Sequence, residues 1–261
     1  MYQVGLILEG GGMKGLYTAG VLDFFLDKNI MCSSVYGVSA GACSMCSYLS
    51  KQRGRTRDVN IDYVDSKRYC GVRSLLTSGD LFNATMLYHL IPDYLHPYDH
   101  NAFAAYEGKA YSVATNIVTG RPEYFRIRDM KADIEKIRAS ASLPLVSRNV
   151  EIDGNYYLDG GLSDSIPLQK SIMDGNRKNI VVMTKEVGYV RQPTAHLALI
   201  KARYLKYPKV AELMAERHIN YNDQVAYIER QQANGQAFVI RPRFASEVGR
   251  VEKDADKLRA L

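Results

Sequence analysis

Ser33-Ser34-Val35-Tyr36-Gly37-Val38-Ser39-Ala40-Gly41-Ala42-Cys43 joins a β-like run to a run of small residues with helical spacing. Ser33 to Val38 reads as a short strand. Ala40 to Lys51 reads as a helix, with Ala42, Met45, Cys46 and Leu49 in one apolar stripe. Between them, Gly37 to Gly41 spells G-x-S-x-G. The spacing suits a strand that turns sharply into a helix and projects a serine hydroxyl from the bend. Glycines two before and two after leave room where the two backbones meet, and the helix N-terminus at Ala40 adds partial positive charge beside the oxygen. By itself the pentapeptide is common, and a plain turn with a capping serine would look the same.

Upstream, Val4 to Leu8 is a compact apolar run that suits a strand buried on both faces, and Leu16 to Lys28 is helical. Glu9-Gly10-Gly11-Gly12-Met13-Lys14-Gly15 lies between them. A loop of this kind presents backbone N–H groups that hold an anion or a developing oxyanion. Gly10, Gly12 and Gly15 also satisfy G-x-G-x-x-G, the dinucleotide fingerprint. That use requires an acid at the end of the second strand, where this chain has Gly37-Val38-Ser39. No Gly-Lys-Ser/Thr completes a P-loop either. In a parallel sheet both turns fall at the carboxyl ends of adjacent strands, so the glycine loop can face Ser39.

Downstream, Tyr111 to Ile117 and Tyr124 to Ile127 read as a hairpin across Thr119-Gly120-Arg121-Pro122, and Met130 to Ser140 as a helix. Tyr156 to Leu158 leads into Asp159-Gly160-Gly161. Ile180 to Thr184 and Ala237 to Ile240 are further strands, and Pro193 and Pro208 are read as first-turn prolines of helices. Strands alternating with helices predict a three-layer α/β/α sandwich with a mainly parallel central sheet. The expectation is one domain over residues 1–261, with a helical cap at about 75–105, where no single period runs.

Composition narrows the classes. Hydrophobic residues make up 46% and charged residues 24%, which predicts an ordinary folded globule. The net charge of +6 favours anionic surfaces, but no basic arm or zinc-finger spacing points to nucleic acid. The basic, aromatic stretch from His196 to Tyr221 allows peripheral docking on a membrane, though a solvated helical face explains it as well. Four cysteines are too few for a disulfide framework, and Cys43-x-x-Cys46 lacks the second pair a zinc site needs. No metal or cofactor is expected. The first residues lack a secretory pattern and no run approaches the ~18 apolar residues of a membrane span, so a cytoplasmic protein is expected.

A serine nucleophile needs a base. His89, His96, His100, His196 and His218 follow Ser39, and none sits in a recognisable loop motif. Asp159 sits in a tight Asp-Gly-Gly turn, a plain turn signal when taken alone. Asp153 and Asp164 flank it and read as turn residues, with Asp164 the runner-up carboxylate.

Taken in order, Gly10-Gly11-Gly12-Met13-Lys14-Gly15, Gly37 to Gly41 and Asp159-Gly160-Gly161 resemble the signature of the patatin-like phospholipase family. The run Ala139-Ser140-Ala141-Ser142-Leu143-Pro144 resembles the family's stretch before the aspartate strand, and the likeness spans roughly residues 3 to 185. The resemblance implies a lipid acyl hydrolase with Ser39 as nucleophile and Asp159 as base. Gly10, Gly11, Gly12, Met13, Lys14 and Gly15 would form the oxyanion loop, with Gly37 and Gly41 flanking the elbow. It implies a phospholipid or other fatty-acyl ester substrate and no calcium. Lys14 stands where the family often has arginine. Acyl transfer on the same pair, or a noncatalytic lipid-binding module, are the alternatives.

Overall fold

Alternate residues of the first strand pack into different cores. Leu6 and Leu8 join Val35, Ala42 and Met45, whereas Ile7 joins Ile166, Val181 and Tyr221. A strand apolar on both faces belongs inside a sheet with helices above and below. The computed structural model, which describes residues 1–261, has that arrangement. The strands are β1 (Tyr2–Leu8), β2 (Cys32–Val38), β3 (Lys109–Asn116), β4 (Pro122–Ile127), β5 (Val150–Ile152), β6 (Asn155–Asp159), β7 (Asn179–Val182) and β8 (Ala237–Ile240). They run in the order β5-β6-β3-β2-β1-β7-β8, with β4 also paired to β3.

The helices are α1 (Leu16–Asp27), α2 (Ala40–Leu49), α3 (Arg55–Asp62), α4 (Val72–Ser78), α5 (His100–Ala104), α6 (Ile134–Ser140), α7 (Leu168–Met173), α8 (Leu197–Arg203), α9 (Pro208–Ala233) and α10 (Ala255–Ala260). Leu22 of α1, Met45 of α2, Phe103 of α5 and Ile137 of α6 cover one face of the sheet. Leu168 of α7 and Tyr221 and Ile228 of α9 cover the other. The three-layer expectation therefore holds. Parallel pairing runs from β3 through β2, β1 and β7 to β8; β4, β5 and β6 are antiparallel additions at one side.

One detail of that side positions the site. On one edge of β3, β4 pairs with Ala110 through Thr115. The other edge is shared. β2 occupies it as far as Val38 opposite Val113, and β6 arrives from the opposite direction with Asp159 opposite Ala114. Two strands thus meet end to end along one strand's edge, at adjacent positions.

The segment without a single period, Leu75 to Phe103, holds the end of α4, a π-helical stretch at Met86–Leu95 and α5. The wider π turn and Pro92 inside it explain why a 3.6-residue repeat is missing there. Two expected boundaries move. The helix foreseen from Met130 begins at Ile134, because the Asp129 and Asp133 carboxylates accept the N–H groups of residues 128, 129, 131 and 132 and hold a turn instead. Pro193 opens no helix; α8 starts at Leu197, whereas Pro208 does open α9.

Candidate active site

β2 ends at Val38 and α2 begins at Ala40, so Ser39 alone makes the bend. It holds φ 55° and ψ −123°, a region that side chains other than glycine rarely occupy. Packing compels it. A Cβ on Gly37 would lie 2.5 Å from the Ala42 Cα, and one on Gly41 would lie 2.8 Å from the Glu9 carbonyl oxygen and closer still to that of Leu8. The spacing of the pentapeptide is thus a packing requirement between β1, β2 and α2. Gly41→Ala is expected to destabilise the fold by about 3 kcal/mol, at the upper end of overpacking costs, in urea unfolding. A substitution without effect there would show that the elbow tolerates the extra carbon.

The glycine loop lies against this bend. A Cβ at Gly10 would come within 2.8 Å of the Ser39 Cβ, and one at Gly15 within 2.8 Å of the Ala40 Cβ. The N–H groups of Gly10 and Gly11 donate to no acceptor within the chain. Gly12 opens a 3-10 turn, Gly12–Gly15, whose first N–H groups have no partner in the turn itself. Met13 differs: its N–H donates to the Arg250 carbonyl at 3.1 Å, so this amide is committed elsewhere, and its side chain is buried. Lys14 extends away, its Nζ 3.5 Å from the Ser246 carbonyl. The loop is tied down at Glu9, whose buried carboxylate accepts the Thr184 N–H at 2.7 Å and the Tyr221 hydroxyl at 2.9 Å. Burial raises the Glu9 pKa despite these donors.

Asp159 closes the constellation. It is 2% exposed. Its Oδ1 accepts the Gly161 N–H at 2.7 Å, while Oδ2 accepts no hydrogen bond. Burial raises its pKa; the Ser39 hydroxyl, Arg217 and the Gly161 N–H pull the other way. Ser39 thus lies near enough to act on the carboxyl, yet Oδ2 has no well-formed hydrogen bond, a looseness common in unliganded sites.

Several positioning groups carried no sequence signal of that role. Ser140 Oγ accepts the Ser39 N–H at 2.9 Å, and the Ser142 carbonyl accepts the Asp159 N–H at 2.7 Å. The Ala139–Pro144 run is therefore a strap holding both residues by their backbones. Thr115 Oγ donates to the Asp159 carbonyl at 2.9 Å. Arg217 of α9 donates from Nε to the Gly161 carbonyl at 2.7 Å. Its place between Met214 and Tyr221 on the helical stripe, a cation among apolar spacings, is the feature that could have marked it.

The other carboxylate and the histidines are placed otherwise. Asp164 accepts the Tyr124 hydroxyl at 2.7 Å and the Gln224 amide at 2.9 Å, so both its oxygens are engaged. Of the five histidines, none lines the small polar pocket that contains Ser39 and Asp159. His89 and His100 line the larger cavity that adjoins it at Ser39.

That cavity begins at Ser39 and has a volume of about 690 Å³, within the range of ligand sites. Met13, Leu16, Ile91, Ile137 and Leu143 are among its walls, with Cys43 one helical turn beyond Ser39. Burial pushes the Cys43 thiol up to about 11, so it is a neutral, apolar wall group at physiological pH. Ser39 therefore lines both a larger, mainly apolar cavity and a small polar recess.

The model of the patatin-like phospholipase family matches residues 6–171. A second model, described only as a domain of unknown function (DUF6363), matches residues 207–261. The chain is 27% identical over 246 residues to the uncharacterized protein YjjU of Escherichia coli K12, covering 92% of this chain and 68% of that protein. It is 24% identical over 194 residues to the probable lipid hydrolase 463L of Invertebrate iridescent virus 6, covering 68% and 66% respectively. The chain thus spans about two thirds of the length of each. Among solved structures, VipD from Legionella pneumophila superposes with a TM-score of 0.42 at 11% identity, over 98% of this chain and 66% of that one.

Proposed function

The chain belongs to the patatin-like phospholipase family, and from that premise we propose that it is a lipid hydrolase that cleaves fatty-acyl esters by a Ser39–Asp159 pair. The observation that carries the reading is a buried carboxylate oxygen without a hydrogen-bond partner, Asp159 Oδ2, in one polar recess with Ser39, which also lines a mainly apolar cavity. The name of the viral relative, a probable lipid hydrolase, agrees with it.

In the proposed reaction the acyl chain enters the cavity and its ester carbonyl meets Ser39. Ser39 Oγ attacks the carbonyl carbon while its proton passes to Asp159 Oδ2. The oxyanion accepts the free N–H groups of Gly10 and Gly11, with that of Gly12 next to them. The tetrahedral centre collapses, the C–O bond to the alcohol breaks, and Asp159 returns its proton to the alcohol. Water then attacks the acyl-serine, giving its proton to Asp159; collapse expels Ser39, which recovers that proton, and the fatty acid leaves. Burial favours a carboxyl that holds a proton more readily than one in water, which suits a carboxylate acting as base without histidine.

The 75–105 segment walls the cavity through Tyr88 and Ile91 of its π-helical stretch and Tyr98 of the loop that follows, and it is proposed to act as the cap. No helix is long and apolar enough to cross a membrane, and substrate is proposed to be taken from a lipid surface from one side.

The test is a panel of lipid esters read by released fatty acid, run beside labelling with a fluorophosphonate. Labelling is expected on Ser39, with fatty acid released from at least one lipid ester. Labelling without fatty acid release would favour transfer to another acceptor, and an inert Ser39 would reject the enzyme.

A further inference from the structure

The polar recess that holds Ser39 and Asp159 has a wall of cations, and the cations come from the C-terminal part of the chain. Lys185, Arg191, Arg217 and Arg250 line it together with the glycine loop. All four lie beyond the residues matched to the patatin-like model, and Arg217 and Arg250 lie within the stretch matched as a domain of unknown function. None of the four forms an ion pair with a carboxylate; the ion pairs of this chain are made by other residues.

The fold holds these cations in place by other means. Arg191 lies over the Tyr221 ring at 4.0 Å, its buried Nε without a hydrogen-bond partner. Lys185 lies 4.7 Å over the Tyr189 ring. Arg217 is held by the Gly161 carbonyl. The Arg250 carbonyl takes the Met13 N–H, which fixes this residue to the glycine loop. The group repels itself. Burial, with Lys14, Arg250 and Arg191 nearby, pulls the Lys185 pKa down to about 8. Burial, with Arg191 and Arg250, pulls that of Arg217 down to about 10. The two acids nearby, Glu9 and Asp159, are buried, which raises the pKa of each, and neither forms an ion pair with any of the four cations. Crowding like charges costs stability, and an anion set among them strengthens every interaction at once.

We propose that Lys185, Arg191, Arg217 and Arg250 form a subsite for an acidic phosphate headgroup, so that the enzyme prefers acyl glycerol phosphates to zwitterionic or neutral acyl lipids. The inference rests on the hydrolase reading and adds to it a role for the C-terminal segment. With the acyl chain in the apolar cavity and the ester at Ser39, the glycerol side of the substrate is directed at the cationic wall. A phosphate monoester brings a charge of about −1.5 to −2 and three strong acceptors. A phosphocholine brings its own cation into a site already repelling cations, and a glyceride brings no charge.

The test uses the full chain and ether lipids that cannot be hydrolysed: 1-alkyl-glycerol 3-phosphate, the matching phosphocholine and the matching alkylglycerol, titrated calorimetrically as monomers. The phosphate monoester is expected to bind about tenfold or more tightly than either of the others, the size of one charge-assisted contact. Lys185→Met and Arg250→Met, which remove the charge, keep an unbranched apolar stem and leave the Arg250 carbonyl in place, are expected to reduce that ratio severalfold each. Folding of both is checked by thermal melting, and the salt dependence of wild-type binding provides a reading free of substitution. Inorganic phosphate is expected to compete only weakly; binding as tight as the ether lipid would mean a free-phosphate site and overturn the headgroup assignment. Equal affinity for the three lipids would overturn the subsite, as would an equal loss for all three in both variants, which would mean that the cations serve the reaction centre. The ester counterparts separate the two readings. Phosphate-selective binding without fatty-acid release sinks the hydrolase alone, and release without headgroup preference sinks the subsite alone.

Discussion

Ser39→Ala is expected to lower kcat/KM for a fatty-acyl ester by about three orders of magnitude or more, equivalent to about 4 kcal/mol of transition-state stabilisation. The loss follows from removing the attacking oxygen while the rest of the site stays in place. The free N–H groups of Gly10 and Gly11 and the apolar cavity remain, so substrate binding should change little. The fall is therefore expected in kcat, with KM nearly unchanged. The elbow is shaped by Gly37 and Gly41 against neighbouring backbone and not by the hydroxyl, so the fold should survive. Thermal melting and released fatty acid, measured on one preparation, check both halves. A Ser39→Ala protein that melts like wild type and retains full activity would remove Ser39 from the chemistry.

Asp159→Asn is expected to lower kcat to a similar extent, since the amide cannot accept the serine proton at Oδ2. Two pH effects accompany it. In the wild type the carboxyl must be ionised to act as base. Burial raises its pKa above the ordinary 3.8, so kcat/KM should rise with pH along a limb centred above that value and fall away below it. The stability effect has the opposite sense. A carboxyl that binds its proton more tightly in the folded chain adds stability fully present below its unfolded pKa. That stability is lost as pH rises through the folded value. At neutral pH the wild type therefore bears the cost of a buried charge that asparagine lacks. The variant should melt higher than wild type at pH 7.5 and lose that advantage in the acid range below the ordinary carboxyl pKa. An Asp159→Asn protein that is active, or that melts lower at pH 7.5 and equally so in acid, would contradict the assigned role and environment.

The elements legible in the sequence are those fixed by local sterics. G-x-S-x-G could be read because two backbone contacts around Ser39 forbid a Cβ, and the glycine loop because it must lie against the serine. Val4 to Leu8 could be read because both faces are apolar and both are buried. The antiparallel approach of β6 could not, since a three-residue Tyr-Tyr-Leu run carries no direction. The strap of Ser140 and Ser142 acts through one hydroxyl and one carbonyl, and neither leaves a compositional trace. The cationic wall gathers from Lys185, Arg191, Arg217 and Arg250, which are separated along the chain and brought together only by the C-terminal segment. The π-helical stretch escaped because the expected period was that of an α-helix.

The end-to-end meeting of β2 and β6 on β3 has a consequence for how such a protein can diversify. Strand registers change only in whole residues, about 3.3 Å at a time, and each single step turns every side chain to the opposite face. The separation of Ser39 and Asp159 is therefore a discrete quantity, set by the adjacency of Val113 and Ala114. A change of register offers it no small increments. The walls of the apolar cavity are mostly side chains on helices and loops, which shift and mutate by degrees. On the proposed reading, lineages could retune which lipids fit without detuning the Ser39–Asp159 pair, since the two properties are set on different scales.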